Sequence, residues 1–412
     1  MTMFDFFFRY FLVFPKILIS GHWGILIGEI VSIFFLLAYL GSYRRISVSP
    51  LIVNYYGFVF YYVLLSSIIT AFHFVFFPAH SILYFVRLII LFALFLWSKA
   101  YYQKVKSDRQ LVEQVYNKPF LVHFTIGLMI MIAYYSTHSP SANEIMWGYE
   151  VGLRMIPLAG LIIDFDSFFF LKAISGSGNL LSGWALAILI VNFNLEGQRP
   201  KKLAVMVAVT AVILTVSRGG FLTMALYLTY VFLRSFDFRL SIKTLVSIAV
   251  FGVALIAYFS FSEETPLPNI FNRLDITYQG GELDGSSQGR VDNYIALFKS
   301  WIGHWYYIFF GFGFDERAVW LATQQTVVES YFLQVLFCSG IIGASLLALF
   351  YLLAFVSRKK NFWFKCFWEF LIFQSFISWT ITGGDFLAPH ASYIFLTFLG
   401  FGFAKSLGKD SG

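Results

Sequence analysis

Four charged positions in this chain sit where residue type and spacing suit chemistry on a phosphate or a hydroxyl. Ser217-Arg218-Gly219-Gly220 lies between two short apolar runs with no room for a loop. A guanidinium at such a boundary is costly unless it snorkels to water or holds a ligand. Two glycines beside it would let a ligand approach the backbone closely. Gly289-Arg290 leads into an aromatic run containing Trp301, Trp305, Tyr306 and Tyr307. Arginine is the best side-chain partner for a phosphate because its planar fork donates paired hydrogen bonds; a solvated pair with Asp292 is the plainer reading. Glu329-Ser330 precedes a long apolar run. A carboxylate there either caps a helix N-terminus, where the dipole favours negative charge, or serves as a base on a hydroxyl. Arg154 is a further phosphate-facing cation or an interfacial anchor.

Other groups carry weaker signals. Asp164-Phe165-Asp166 has the look of an acidic metal-holding pair, but spacing alone does not make a ligand set. His138, His304 and His390 stand singly, none at metal-ligand spacing from another. Gly340-Ile341-Ile342-Gly343 reads most simply as a packing surface of small residues within a span. The chain contains no Walker loop, dinucleotide fingerprint, His-Glu-x-x-His or Gly-x-Ser-x-Gly, so nucleotide-driven chemistry has no support.

The elements that must position these residues are membrane helices. Hydrophobic residues make up 59% of the chain and charged residues 12%, and mean hydropathy is +0.74. An ordinary soluble domain does not tolerate such a balance. Apolar runs of crossing length, about 20 residues, fall at 22–41, 51–76, 81–98, 119–137, 178–195, 202–217, 220–234, 243–261, 330–356, 364–382 and 390–405. Residues 4–19, Phe-rich but short and interrupted by Arg9, read as either a span or an interfacial helix. The fold class is therefore all-α: a polytopic membrane protein with about 11 or 12 transmembrane helices. No cleavage site follows the N-terminal apolar stretch, so it does not read as a signal peptide. Cys338 and Cys366 lie in or beside spans and suggest no disulfide framework.

Charge sets orientation. Lys and Arg cluster in alternate connections: Arg44-Arg45; Lys99 to Lys118; Arg199 to Lys202; Arg234 to Lys243; Arg358 to Lys365; and Lys405 with Lys409. The positive-inside tendency makes these cytoplasmic. The net charge of +7 thus reports topology and implies no nucleic-acid partner. The remaining connections face outward, provided that 152–174, which contains Arg154, Asp164, Asp166 and Lys172, is a re-entrant or surface-lying segment and does not cross. Three parts follow: membrane bundle 1–261, one large outer loop 262–329, and closing helices 330–412. The loop is acidic, opposite in sign to the chain, with a Gly/Ser-rich stretch at 280–289. Residues 291–310 suit an amphipathic helix at the interface.

These elements together resemble the O-antigen polymerase and ligase superfamily of bacterial envelope polysaccharide assembly. The resemblance covers most of 150–356: Ser217-Arg218-Gly219, a large outer loop with Gly289-Arg290, a Gly311-Phe312-Gly313 turn, and a helix opening at Glu329-Ser330. In the ligases that helix carries a His followed by Asn, Ser or Gln, nine residues, then Gly-x-x-Gly. Ser330, residues 331–339, Gly340 and Gly343 fit that spacing, with Glu329 at the His position. The glutamate favours the polymerase branch, called Wzy. The resemblance implies inverting glycosyl transfer at the periplasmic face of the inner membrane, within lipopolysaccharide or related polysaccharide biosynthesis. An undecaprenyl-diphosphate-linked oligosaccharide would be donor and a lipid-linked repeat unit acceptor. It further implies that Arg218, Arg290 and Arg154 bind the diphosphate, that Arg218 and Arg290 stabilise its leaving charge, and that Glu329 assists the acceptor hydroxyl. No metal or other cofactor is implied, and a chain-length regulator is a possible protein partner. Three other readings stay open: the ligase itself, a cell-wall glycan polymerase of the shape and division type, and a non-enzymatic flippase or transporter of lipid-linked oligosaccharide.

Overall fold

In the computed structural model the described residues are 3–10, 16–20, 23–42, 48–137, 155–158, 161–164, 178–195, 201–215, 218–234, 285–324, 330–378 and 389–409. They form a helical polytopic membrane protein with one small sheet. In chain order the elements begin with α1 (Met3–Tyr10), β1 (Lys16–Ser20), β2 (Trp23–Leu26) and α2 (Ile27–Gly41). Next come α3 (Pro50–Val59), a π-helical stretch Phe60–Leu65, α4 (Ser66–Phe74), α5 (Ala79–Ile90), α6 (Phe92–Val105) and α7 (Asp108–Leu111). A second π-helical stretch, Val112–Asn117, leads into α8 (Lys118–Thr137), followed by β3 (Met155–Leu158) and β4 (Leu161–Asp164). Then follow α9 (Gly178–Asn194), α10 (Lys202–Thr215), α11 (Arg218–Arg234), α12 (Gly285–Gly303), α13 (Trp305–Phe310), α14 (Glu316–Thr323) and α15 (Tyr331–Ser357). The chain ends with α16 (Phe362–Phe370), a third π-helical stretch Leu371–Ser378, and α17 (Pro389–Lys409).

Among the described residues every apolar run expected to be helical is largely helix, apart from the start of 22–41, which belongs to β2; 243–261, 216–217 and 379–382 lie outside the described residues. Local signals set the ends. Ser49 accepts from the Ile52 amide and Pro50 takes the first helical position, where its missing N–H costs nothing. That helix continues through the π-helical stretch as Pro50–Phe74 and stops at Val75 in the left-handed region, φ 54°. Ala79–Val105 follows Pro78 and ends at Lys106, φ 51°. These two helices and Tyr331–Ser357, of 25, 27 and 27 residues, are long and apolar enough to cross a membrane. At about 1.5 Å per residue each exceeds the ~30 Å hydrocarbon core. Gly28–Gly41, Ser182–Asn194, Lys202–Val212 and Gly220–Arg234 are apolar but shorter.

The N-terminus departs from expectation. Residues 4–19 are neither one spanning helix nor one interfacial helix: α1 has only eight residues, about 12 Å, and the chain then turns to strand. Pro15 cannot continue a helix, and the Ile17-Leu18-Ile19 run after it suits a strand. The 152–174 segment contributes β3 and β4. The four strands form one antiparallel sheet in the order β2-β1-β4-β3, with Lys16 opposite both Leu26 and Asp164. The N-terminal hairpin is thereby fastened to a segment far along the chain.

The core is aromatic. Tyr55, Phe58, Tyr62, Phe95, Trp97, Phe350 and Trp363 are all nearly inaccessible. Exposed Phe34, Leu37, Leu83, Leu352 and Val356 present the apolar exterior that lipid covers. The basic connections meet at one end of the bundle. Lys405 pairs with Asp108, which also accepts from Trp363 Nε1 at 2.8 Å. Lys104 pairs with Asp5 at 3.2 Å and Lys201 with Glu113 at 2.5 Å. Asn361 caps α16 and donates to the Gly402 carbonyl at 2.7 Å. Buried Glu369 collects Asn194 Nδ2 at 2.5 Å, Arg234 Nη1 at 3.1 Å, and the Tyr227 and Tyr230 hydroxyls at 3.2 and 3.3 Å. Glu369 therefore ties α9 and α11 to α16. Glu369→Ala should cost about 3 kcal/mol, the low end for breaking a buried pair, because Arg234 keeps 36% of its side-chain surface exposed. The measurement is the melting temperature of detergent-purified protein, with Glu369→Gln falling between; an alanine variant melting like wild type would refute the tie.

Candidate functional site

The end of the bundle opposite the basic connections is organised by glycine. Within α15 the backbone leaves the helical region at Gly340, φ 62° and ψ −165°, a conformation open to glycine and few other residues. The turn Gly311-Phe312-Gly313 docks against this break. Gly311 and Gly313 have φ of 79° and 94°. The Phe312 and Gly313 amides donate to the Phe337 and Cys338 carbonyls, each at 2.8 Å. The approach leaves no room for side chains. A Cβ at Gly311 would overlap the Cys338 carbonyl, and one at Gly340 would overlap the Phe309 carbonyl. Gly340 is thus a break that receives another backbone, beyond the small-residue packing surface expected from sequence. Gly343 does pack closely, against Ser339 and Tyr61.

A second anchor lies immediately downstream. Ser67 Oγ in α4 accepts from the Phe314 amide at 2.9 Å, the Asp315 amide at 3.3 Å and the Ser81 hydroxyl at 2.8 Å. The Phe314 ring packs on Tyr62, Tyr84 and His80. The Asp315 carboxylate caps α14 by accepting from the Arg317 amide at 3.0 Å. Residues 311–315 are therefore bolted to α4, α5 and α15 together. Upstream, α12 and α13 bear the amphipathic character expected of 291–310. Ile295, Phe298, Ile302, Trp305 and Phe309 are exposed, while Leu297, Trp301 and Tyr307 are buried. His304 separates the two helices.

Beside the turn is a pocket of about 340 Å³, walled by Thr70, His73, Tyr306, Tyr307, Phe310 and Gly311 among others. Tyr306 Oη and His73 Nε2 are 3.4 Å apart, and the Tyr306 ring stacks on His304. Hydroxyls, an imidazole and aromatic faces thus share one wall with the apolar Ile69 and Phe72. Nothing in local sequence signals this pocket or Ser67, because His73 and Tyr306 are 233 residues apart and Ser67 and Phe314 are 247 apart.

The sequence-derived residues fall as follows. Arg218 is the first residue of α11, whose other end, Arg234, is at the basic end; about 24 Å of helix separates them. Ser330 is the N-cap of α15, likewise remote from its basic end at Ser357. Arg290 is in the second turn of α12. The structure packs α12 against α13, α14 and α15, so Arg290 and Ser330 lie on associated elements. It packs α11, which begins at Arg218, against α9, α10 and the Leu371–Ser378 stretch. Asp164 ends β4, opposite Lys16 and Met155. His390 is in α17. Arg154, Asp166, His138 and the proposed base Glu329 lie outside the described residues. Cys338 and Cys366 are both buried.

Comparison with known proteins bears on the same region. Residues 203–348 match the family model described as O-antigen ligase. That match is consistent with the O-antigen polymerase and ligase superfamily. This supports a membrane enzyme of the ligase or polymerase kind, working on lipid-linked oligosaccharide in polysaccharide biosynthesis, without separating the two activities. No curated protein matches the chain. The matched span runs from α10 into α15 and contains Arg218, Arg290, the Gly311–Gly313 turn and Gly340.

Gly311→Ala and Gly340→Ala each place a methyl group into backbone and a side chain in the left-handed region, a strain of about 1–3 kcal/mol before the overlap is counted. Both variants should lose folded protein on size-exclusion chromatography and melt well below wild type. Gly303→Ala, with open space around its Cβ, should not. Equal behaviour of all three would show that the docking is unimportant.

Proposed function

We propose that this chain joins polyprenyl-diphosphate-linked oligosaccharide repeat units into O-antigen or a related surface polysaccharide, by inverting glycosyl transfer at the periplasmic face of the inner membrane. One observation carries the reading: the O-antigen ligase family match spans the segment in which the outer turn docks into the α15 break. Glutamate at position 329, where the ligase pattern has histidine, favours polymerase over ligase. On this reading residues 1–261 and 330–412 are the membrane bundle and 262–329 the periplasmic loop that covers the site.

The acceptor hydroxyl oxygen attacks the anomeric carbon of the donor. The carbon–oxygen bond to the diphosphate breaks, and its electron pair leaves with the diphosphate. Arg218 and Arg290, with Arg154, stabilise that charge. Glu329 takes the hydroxyl proton or holds the hydroxyl in line. The sugar–phosphate bond itself supplies the driving force, so the step calls on no nucleotide.

The ligase reading has a specific observation in its favour, the Ser330, Gly340 and Gly343 spacing. Deletion of the gene separates the two on a surface-polysaccharide gel. Single repeats still attached to the core mark a polymerase; loss of every attached repeat marks a ligase. With purified protein and lipid-linked repeats, Arg218→Ala and Arg290→Ala should lower turnover by about 10²–10³-fold, the scale for removing a charge-stabilising group. Glu329→Gln and Glu329→Ala should each lower it by about 10²-fold or more. Wild-type polymer length in both Glu329 variants at equal expression would reject its role, and elongation in detergent excludes a flippase.

A further inference from the structure

At the basic end a cleft of about 960 Å³ opens between the ends of α9, α11 and α16 and the turn that follows α15. Its walls include the cations Arg109, Arg358, Lys359, Lys365 and Lys405. Two carboxylates also face it, and both are engaged. Asp108 pairs with Lys405 and accepts from Trp363. Glu369 is occupied by Arg234, Asn194, Tyr227 and Tyr230. Among the described residues, no carboxylate pairs with Arg109, Arg358, Lys359 or Lys365. Orientation by the positive-inside tendency needs cations at this end of the bundle; it does not need them to converge on one volume. Four uncompensated positive charges around a cleft focus a potential that draws in an anion.

The surroundings point to the anion's source. Along α15, Leu349, Leu352, Phe355 and Val356 are exposed, forming a lipid-facing stripe that runs into Arg358. The Arg358 guanidinium lies 3.6 Å from the Phe355 ring centroid and 5.9 Å from that of Trp368. A cation held on aromatic faces where an apolar stripe ends is placed to meet a headgroup whose acyl chains lie along that stripe. We propose that this cleft binds the phosphate headgroup of an anionic membrane lipid, with Arg358 at its rim and Arg109, Lys359 and Lys365 inside. The site is remote from the glycosyl-transfer end and does not depend on the activity proposed there.

The test is the melting temperature of the full-length protein in a neutral detergent, titrated with phosphatidylglycerol, cardiolipin, phosphatidylcholine or inorganic diphosphate. Phosphatidylglycerol and cardiolipin should raise it saturably and phosphatidylcholine should not. Arg358→Gln with Lys365→Gln should weaken the midpoint by roughly thirtyfold, from about a factor of five for each charge at a lipid surface. Arg109→Gln with Lys359→Gln, both exposed, should act in the same direction and serves if the first pair fails to fold. Lys118→Gln with Lys202→Gln removes the same charge from exposed positions outside the cleft and should leave the midpoint unchanged. An equal loss in that control pair would mean general surface electrostatics and overturn the site. Stabilisation by diphosphate matching that by lipid, at equal phosphate, would overturn the lipid as its source.

Discussion

The structure depends on how a helix can be interrupted inside an apolar medium. Hydrocarbon offers backbone groups no partner, so a departure from helical geometry survives only where other protein groups meet the amides and carbonyls nearby. At Gly340 they do: the Phe312 and Gly313 amides reach the Phe337 and Cys338 carbonyls. Three glycines with positive φ make this close approach sterically open. Ser67 performs the matching service for the Phe314 and Asp315 amides. The irregular backbone at Gly311–Asp315 is thus satisfied by spans, and α12, α13 and α14 are held against the bundle as a consequence.

The two ends of the molecule solve different problems. At the basic end, charge is compensated locally by long side chains reaching between helices: Lys405 to Asp108, Lys201 to Glu113, Arg234 to Glu369. At the other end, backbone geometry does the joining, and the polar side chains, such as Tyr306 and His73, line open space. Ion pairs at the first leave the helices tied together and the spare cations facing a cleft. Glycine docking at the second leaves Tyr306 and His73, bonded to each other, in the wall of a pocket beside the turn.

Sequence made part of this legible for simple reasons. Helices at 50–74, 79–105 and 331–357 follow from apolar length, with caps such as Ser49-Pro50 and stops such as Pro78 fixing their ends. The gathering of Lys104, Lys201, Arg234, Arg358 and Lys405 at one end follows from the alternation of charge between runs. Residues 4–19 misled because an apolar run has the same composition as helix or strand, and only Pro15 marks the change. The candidate site was legible only as residue types. Arg218 and Arg290 stand out as cations beside glycine, whereas Ser67, His73 and Tyr306 acquire meaning from contacts spanning over two hundred residues. No local pattern encodes such a partner.

The small sheet has a consequence for biogenesis. Strand β1 is an inner strand, flanked by β2 on one side and β4 on the other. Translation delivers β2 at once, but β4 appears only after α2 through α8 have been made. Throughout that interval β1 keeps an edge whose amides and carbonyls lack their eventual partners, a state that lipid does not tolerate. The first hairpin must therefore wait in water, or in the shelter of the insertion machinery, until Leu161–Asp164 arrives. Strands that end side by side are thus made far apart in time.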